Sequence, residues 1–139
     1  MTLPLSGYIY FDKKFEFKDG TIGEKLFIIL CDSPKDKSNV LAARTTKQPK
    51  SEPVYGCHFP SRFETVFFVS KSDSDFDLDT WILFDYLVEY KSDILESWHL
   101  TGKLSIEQSK SLLLCGCQSD TIAGWQKEAL KELGDLITI

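Results

Sequence analysis

The order of segments along this chain predicts an α+β fold: a small, strongly bent antiparallel sheet or small barrel first, helices last. Three observations point there. Short β-branched and aromatic runs recur up to Val88, bounded by Gly, Pro or charged turns. A Ser-x-x-Gln signature at Ser105 to Gln108 announces a helix start. After it the apolar residues take helical spacing.

Residues 7–11, Gly-Tyr-Ile-Tyr-Phe, read as the first strand. Phe15-Glu16-Phe17 alternates and runs into Asp19-Gly20, a strong turn signal. Leu26–Leu30 is a strand preceded by Gly20 and Gly23, and Asp32–Asn39 is a charged loop around Pro34. Val40–Thr45 is the next strand. Lys47 to Arg62, with Pro49, Pro53, Gly56 and Pro60, reads as irregular. Thr65–Val69 is β-rich, Ser70–Asp77 is a polar acidic loop, and Thr80–Val88 is a strand whose apolar pattern Asp85 interrupts. The first helix runs from the Ser105 cap to about Leu114. The second is capped by Ser119 or Asp120 and stopped after Leu133 by Gly134. Ile122, Trp125, Ala129 and Leu133 give it one face to pack, while Lys127, Glu128, Lys131 and Glu132 solvate the other.

At 42% hydrophobic and 13% aromatic, the chain has enough apolar mass for a core, and its length suits one domain over residues 1–139. No apolar stretch reaches the roughly 20 residues that cross a membrane. Met1–Leu5 lacks the basic start and apolar core of a signal peptide, so a cytoplasmic location is expected. In that compartment Cys31, Cys57, Cys115 and Cys117 read most simply as free thiols. Residues 1–62 carry a net +3 and residues 63–139 a net −8. The basic half could face a polyanion and the acidic half a basic partner, or the asymmetry is only a solvated surface of uneven charge; the overall −5 argues against non-specific coating of nucleic acid.

The chemistry concentrates where two strands change character. Lys25 opens the apolar run Leu26–Leu30, and Val40–Ala43 ends in Arg44-Thr45-Thr46-Lys47-Gln48. A buried strand delivering a guanidinium, hydroxyls, an ammonium and an amide at its end places polar groups on a rigid edge. Lys25 lying near Thr45 would form a small cationic, hydroxyl-lined site.

Three stretches carry a family resemblance: Gly23-Glu24-Lys25-Leu26-Phe27-Ile28-Ile29-Leu30, Ala43-Arg44-Thr45-Thr46-Lys47-Gln48 and Gly102-Lys103-Leu104-Ser105-Ile106-Glu107. In order and spacing they span about residues 7–115, and the combination resembles the MazF/PemK family of type II toxin–antitoxin toxins. The resemblance implies an SH3-like barrel over about 7–100 with C-terminal helices over about 104–134. It also implies metal-independent endoribonuclease action on single-stranded RNA without a cofactor, a homodimer, and an antitoxin protein lying across that dimer. The family's key Arg falls on Lys25 and its key Thr on Thr45 as catalytic residues, with Arg44, Thr46, Lys47 and Gln48 left to hold substrate. Where the family has Arg then Pro, this chain has Lys25 then Leu26, and Lys lacks the planar fork of Arg. That change, with the acidic C-terminal half, favours the alternative of a non-catalytic binding or adaptor module that kept the toxin fold.

Other constellations read as structural. Cys57-His58 with Cys115-Gly116-Cys117 lacks the Cys-x₂₋₄-Cys pairs of zinc sites. His58 and His99 would have to converge to act as an acid–base pair. Asp73, Asp75, Asp77 and Asp79 lack the Gly and terminal Glu of an EF-hand and read as a solvated loop. Phe59, Phe63, Phe67, Phe68, Trp81 and Phe84 suit a core or interface better than base stacking.

Overall fold

In a computed structural model that describes residues 6–137, the chain builds seven strands and two helices. The strands are β1 (Tyr8–Glu16), β2 (Ile22–Asp32), β3 (Asn39–Thr46), β4 (Gly56–Ser61), β5 (Glu64–Val69), β6 (Thr80–Lys91) and β7 (His99–Lys103). The helices are α1 (Ile106–Gly116) and α2 (Gly124–Leu136). All neighbours pair antiparallel in one sheet of order β4-β5-β6-β3-β2-β1-β7. Its edge strands β4 and β7 do not pair with each other, so the sheet is open and the expected barrel closure is corrected.

Both faces of the central strands are covered, which explains why Leu26–Leu30 is continuously apolar instead of alternating. Ile28 and Leu30, with Leu41 and Ala43, face a core completed by Leu112 and Leu113 of α1 and Leu130 of α2. Phe27 and Ile29, with Val40 and Ala42, face the other way, under Leu95 and Trp98. The Trp98 ring stacks on Phe27 with centroids 5.1 Å apart. A third cluster, Val66, Phe68 and Trp81, covers the β5–β6 end of that same outer face.

Local signals hold where the chemistry is local. The Asp19-Gly20 turn forms, with Gly20 at φ +86° and Asp19 accepting the Thr21 backbone N–H. Ser105 and Gln108 make both halves of the capping box. The second helix starts later than expected. Ser119 is buried and its hydroxyl donates to the Phe84 carbonyl at 2.6 Å, so it ties the loop to β6 and caps nothing. Helix α2 begins after buried Ile122, with the Ala123 N–H donating to Gln126. Gly134 lies inside α2, where an added Cβ would come 2.9 Å from Leu114, so it is a packing glycine and not a stop.

Two further expectations are corrected, and one strand not read in the sequence, β7, is added. The stretch read as irregular contains β4, an edge strand whose Pro60 sits beside a register break. His99 opens β7, paired with Phe11. Cys57 and Cys115 are joined in a disulfide, leaving Cys31 and Cys117 as free thiols. The pairing arises because α1 packs on β4 and β5, bringing Cα atoms 58 residues apart in sequence to 5.5 Å.

Candidate functional site

Because the strands are antiparallel, the start of β2 and the end of β3 meet at one end of the sheet. A cavity of about 400 Å³ lies there, lined by Lys25, Thr45, Thr46, Lys47 and Gln48 together with Glu24, Asp77 and the Phe11 and Phe17 rings. Five of the six residues singled out in the sequence thus share one cavity. The Thr46 hydroxyl accepts the Gln48 backbone N–H at 3.1 Å, a local turn that brings Lys47 and Gln48 back over the opening. With two lysines and two carboxylates in its lining, the cavity carries no formal excess of charge.

Within it, side-chain direction separates the residues. The pairing Phe27↔Arg44 and Ile28↔Ala43 sets the register, and strand alternation does the rest. Thr45 falls on the helix-covered face with Ala43, and its hydroxyl donates to the Leu26 carbonyl at 2.9 Å. Lys25, Arg44 and Thr46 fall on the outer face with Phe27. Lys25 Nζ stands over two aromatic rings, 5.6 Å from the Phe15 centroid and 5.9 Å from that of Phe17. Partial burial there, and then the nearby Arg44 charge, lower the Lys25 pKa from its ordinary 10.5.

Arg44 does not line this cavity. It forms an ion pair with Asp85, and its guanidinium lies on the Tyr86 ring with Cζ 3.8 Å from the centroid. A bulge in β6 makes this possible. Against Ala42 to Arg44 on β3, β6 advances from Val88 to Leu83, and the extra residues re-aim Asp85 and Tyr86 toward Arg44. Asp85 was visible in the sequence as the residue that interrupts an apolar strand; its partner was not.

The remaining candidates lie elsewhere. His58 is on β4, with Nε2 2.6 Å from the Val54 carbonyl, and His99 is on β7; neither lines the Lys25 cavity. Cys57 and Cys115, spent in the disulfide, offer no thiolate to a metal or an electrophile. The aspartate loop is more than solvated: Asp75 accepts the Lys103 N–H at 3.0 Å and Asp79 the Lys71 N–H at 2.9 Å. Asp75 also fills the space where a Cβ on Gly102 would lie, only 2.4 Å from its own Cβ, which accounts for a glycine in β7.

No family model and no curated protein matches the chain.

Proposed function

We propose that the chain is a MazF/PemK-like toxin that cleaves single-stranded RNA at the Lys25 cavity, paired with an antitoxin, as a homodimer. The observation that carries it is the convergence of Lys25, Thr45, Thr46, Lys47 and Gln48, from adjacent strand ends, on one cavity beside two carboxylates.

Such a cavity suits transesterification. The ribose 2′-hydroxyl attacks the adjacent phosphorus, its proton passes to Glu24 or Asp77, and the P–O5′ bond breaks to leave a cyclic 2′,3′-phosphate. The departing O5′ takes a proton from Lys25. A lowered ammonium pKa makes Lys25 a stronger acid for that step than an exposed lysine. Lys47 and the Thr46 hydroxyl stand beside the developing charge on phosphorus.

The test uses a labelled oligoribonucleotide and mass analysis of its products. Cyclic phosphate and 5′-hydroxyl ends are expected, none from the DNA analogue that lacks the attacking hydroxyl. Lys25→Ala lowers the rate by about 10²-fold or more, the usual scale for a lost general acid. Intact RNA together with normal growth on induced expression in bacteria would sink the toxin reading. A second reading, the non-catalytic module, is favoured by the Thr45 hydroxyl, which is already committed to the Leu26 carbonyl. Binding of the oligonucleotide without cleavage, abolished by Lys25→Ala, selects it.

A further inference from the structure

The outer face carries a second, smaller cavity of about 130 Å³, bounded by Arg44, Lys50, Glu64, Thr65 and Asp85. A guanidinium holds five N–H donors in a rigid fork matched to oxyanions. Arg44 uses little of that capacity. Its Nη2 donates to Asp85 Oδ1, its plane rests on Tyr86, and its Nε is buried with no hydrogen-bond partner among the described residues. Glu64 is turned toward the hairpin, accepting from the Ser61 hydroxyl at 3.0 Å. Lys50 is exposed and makes no ion pair among the described residues. Asp85 is therefore the one anion engaged with Arg44 among the described residues. Its side chain keeps 43% of its surface open to water, so it can leave at low cost.

We infer that Arg44 and Lys50 form a second phosphate subsite that Asp85 keeps closed as an internal anion and that, once the Asp85 charge is removed, takes a phosphodiester of the RNA strand engaged at Lys25. The inference rests on the RNA reading above and extends it from one phosphate to two. Adjacent strands β2 and β3 hold Lys25 and Arg44 on the same face, and the Arg44 charge is felt at Lys25. A strand lying across both satisfies two cations that otherwise repel each other.

The experiment measures affinity for a single-stranded oligoribonucleotide against salt concentration. Asp85→Asn keeps the side-chain shape and removes the charge. It tightens binding by about threefold to tenfold at low salt, and steepens the slope of log K against log salt by about 0.7, the value for one further phosphate on a single strand. The double variant Arg44→Ala with Asp85→Asn returns both to within twofold of the parent. Matched far-UV circular dichroism checks that each variant folds. An unchanged slope in Asp85→Asn, while Lys25→Ala still weakens binding, overturns the subsite and leaves the RNA reading standing; absence of RNA binding in every variant overturns both. Inorganic phosphate is the probe independent of RNA. The Arg44 Nε–Hε resonance of Asp85→Asn shifts saturably as phosphate is added, and no shift overturns the subsite whatever the oligonucleotide does.

Discussion

The two faces of the sheet solve burial differently. On the helix side, Ile28, Leu30, Leu41, Ile82 and Phe84 lie fully buried under α1 and α2, with the Cys57–Cys115 bond tying the helix layer to β4. On the outer side the apolar surface is split into two clusters, one under Leu95 and Trp98 and one around Phe68 and Trp81. Between them run Lys25, Arg44, Thr46, Asp85 and Tyr86, partly open to water. A face that excludes water everywhere supplies stability. A face whose cover is interrupted keeps charged side chains at a defined spacing on rigid strands, which is what a binding site requires. Stability and chemistry are thereby separated by the pleat, one residue apart along the same strands.

The sharpest way to break this contrast is to truncate one aromatic on each side. Phe84→Ala, at a fully buried position, costs about 3–5 kcal/mol in urea denaturation. Tyr86→Ala, at a position 46% exposed, leaves the midpoint nearly in place. Equal losses of stability at both positions would remove the distinction. Next in size is the disulfide. Replacing both Cys57 and Cys115 by Ser, or reducing the bond, costs about 2–4 kcal/mol by enlarging the unfolded ensemble, visible as a lower denaturation midpoint.

Alkaline titration sets the faces against each other in sign. Burial pushes the Cys31 thiol from 9.0 up to about 12. The unfolded chain therefore loses this proton first, and stability present below pH 9 is lost as pH rises from there toward 12. Lys25 acts oppositely. Its pKa is lowered in the folded state, so below 10.5 the unfolded chain binds more protons, and this residue raises stability as pH climbs toward 10.5. Urea midpoints between pH 8 and 11 should thus fall less steeply in Cys31→Ala and more steeply in Lys25→Met; the reverse order would mean the burial of one of them is misjudged. The smallest effect separates the adjacent threonines. Thr45→Val removes the bond to Leu26 and costs about 1 kcal/mol. Thr46→Val removes the exposed bond from the Gln48 N–H, costs about 0.5 kcal/mol, and on the proposed function weakens RNA binding, as expected of the outer-face hydroxyl.

Much of the architecture was legible residue by residue. The apolar runs marked strands β2, β3, β5 and β6, and the capping box at Ser105 marked α1, because these signals act within a few residues. Strand β4 was hidden by Pro60, which an edge strand tolerates, and by Pro49 and Pro53 before it. The start of α2 was misread because Ser119, a good cap by type, finds the Phe84 carbonyl instead. Of the site residues, Lys25 and the Thr45–Gln48 run were visible as polar groups at strand ends, and antiparallel pairing brings them to one cavity.

Which residues form strands, which helix carries a capped start and which polar groups stand at strand ends were written in local order, since period and capping chemistry operate within one or two turns of chain. The partner of Cys57, the grip of Asp85 and Tyr86 on Arg44, and the opposite facing of Lys25 and Thr45 were decided by tertiary structure alone. Each depends on strand register and helix docking between segments far apart in sequence, and no pattern along a single stretch of chain encodes such a register.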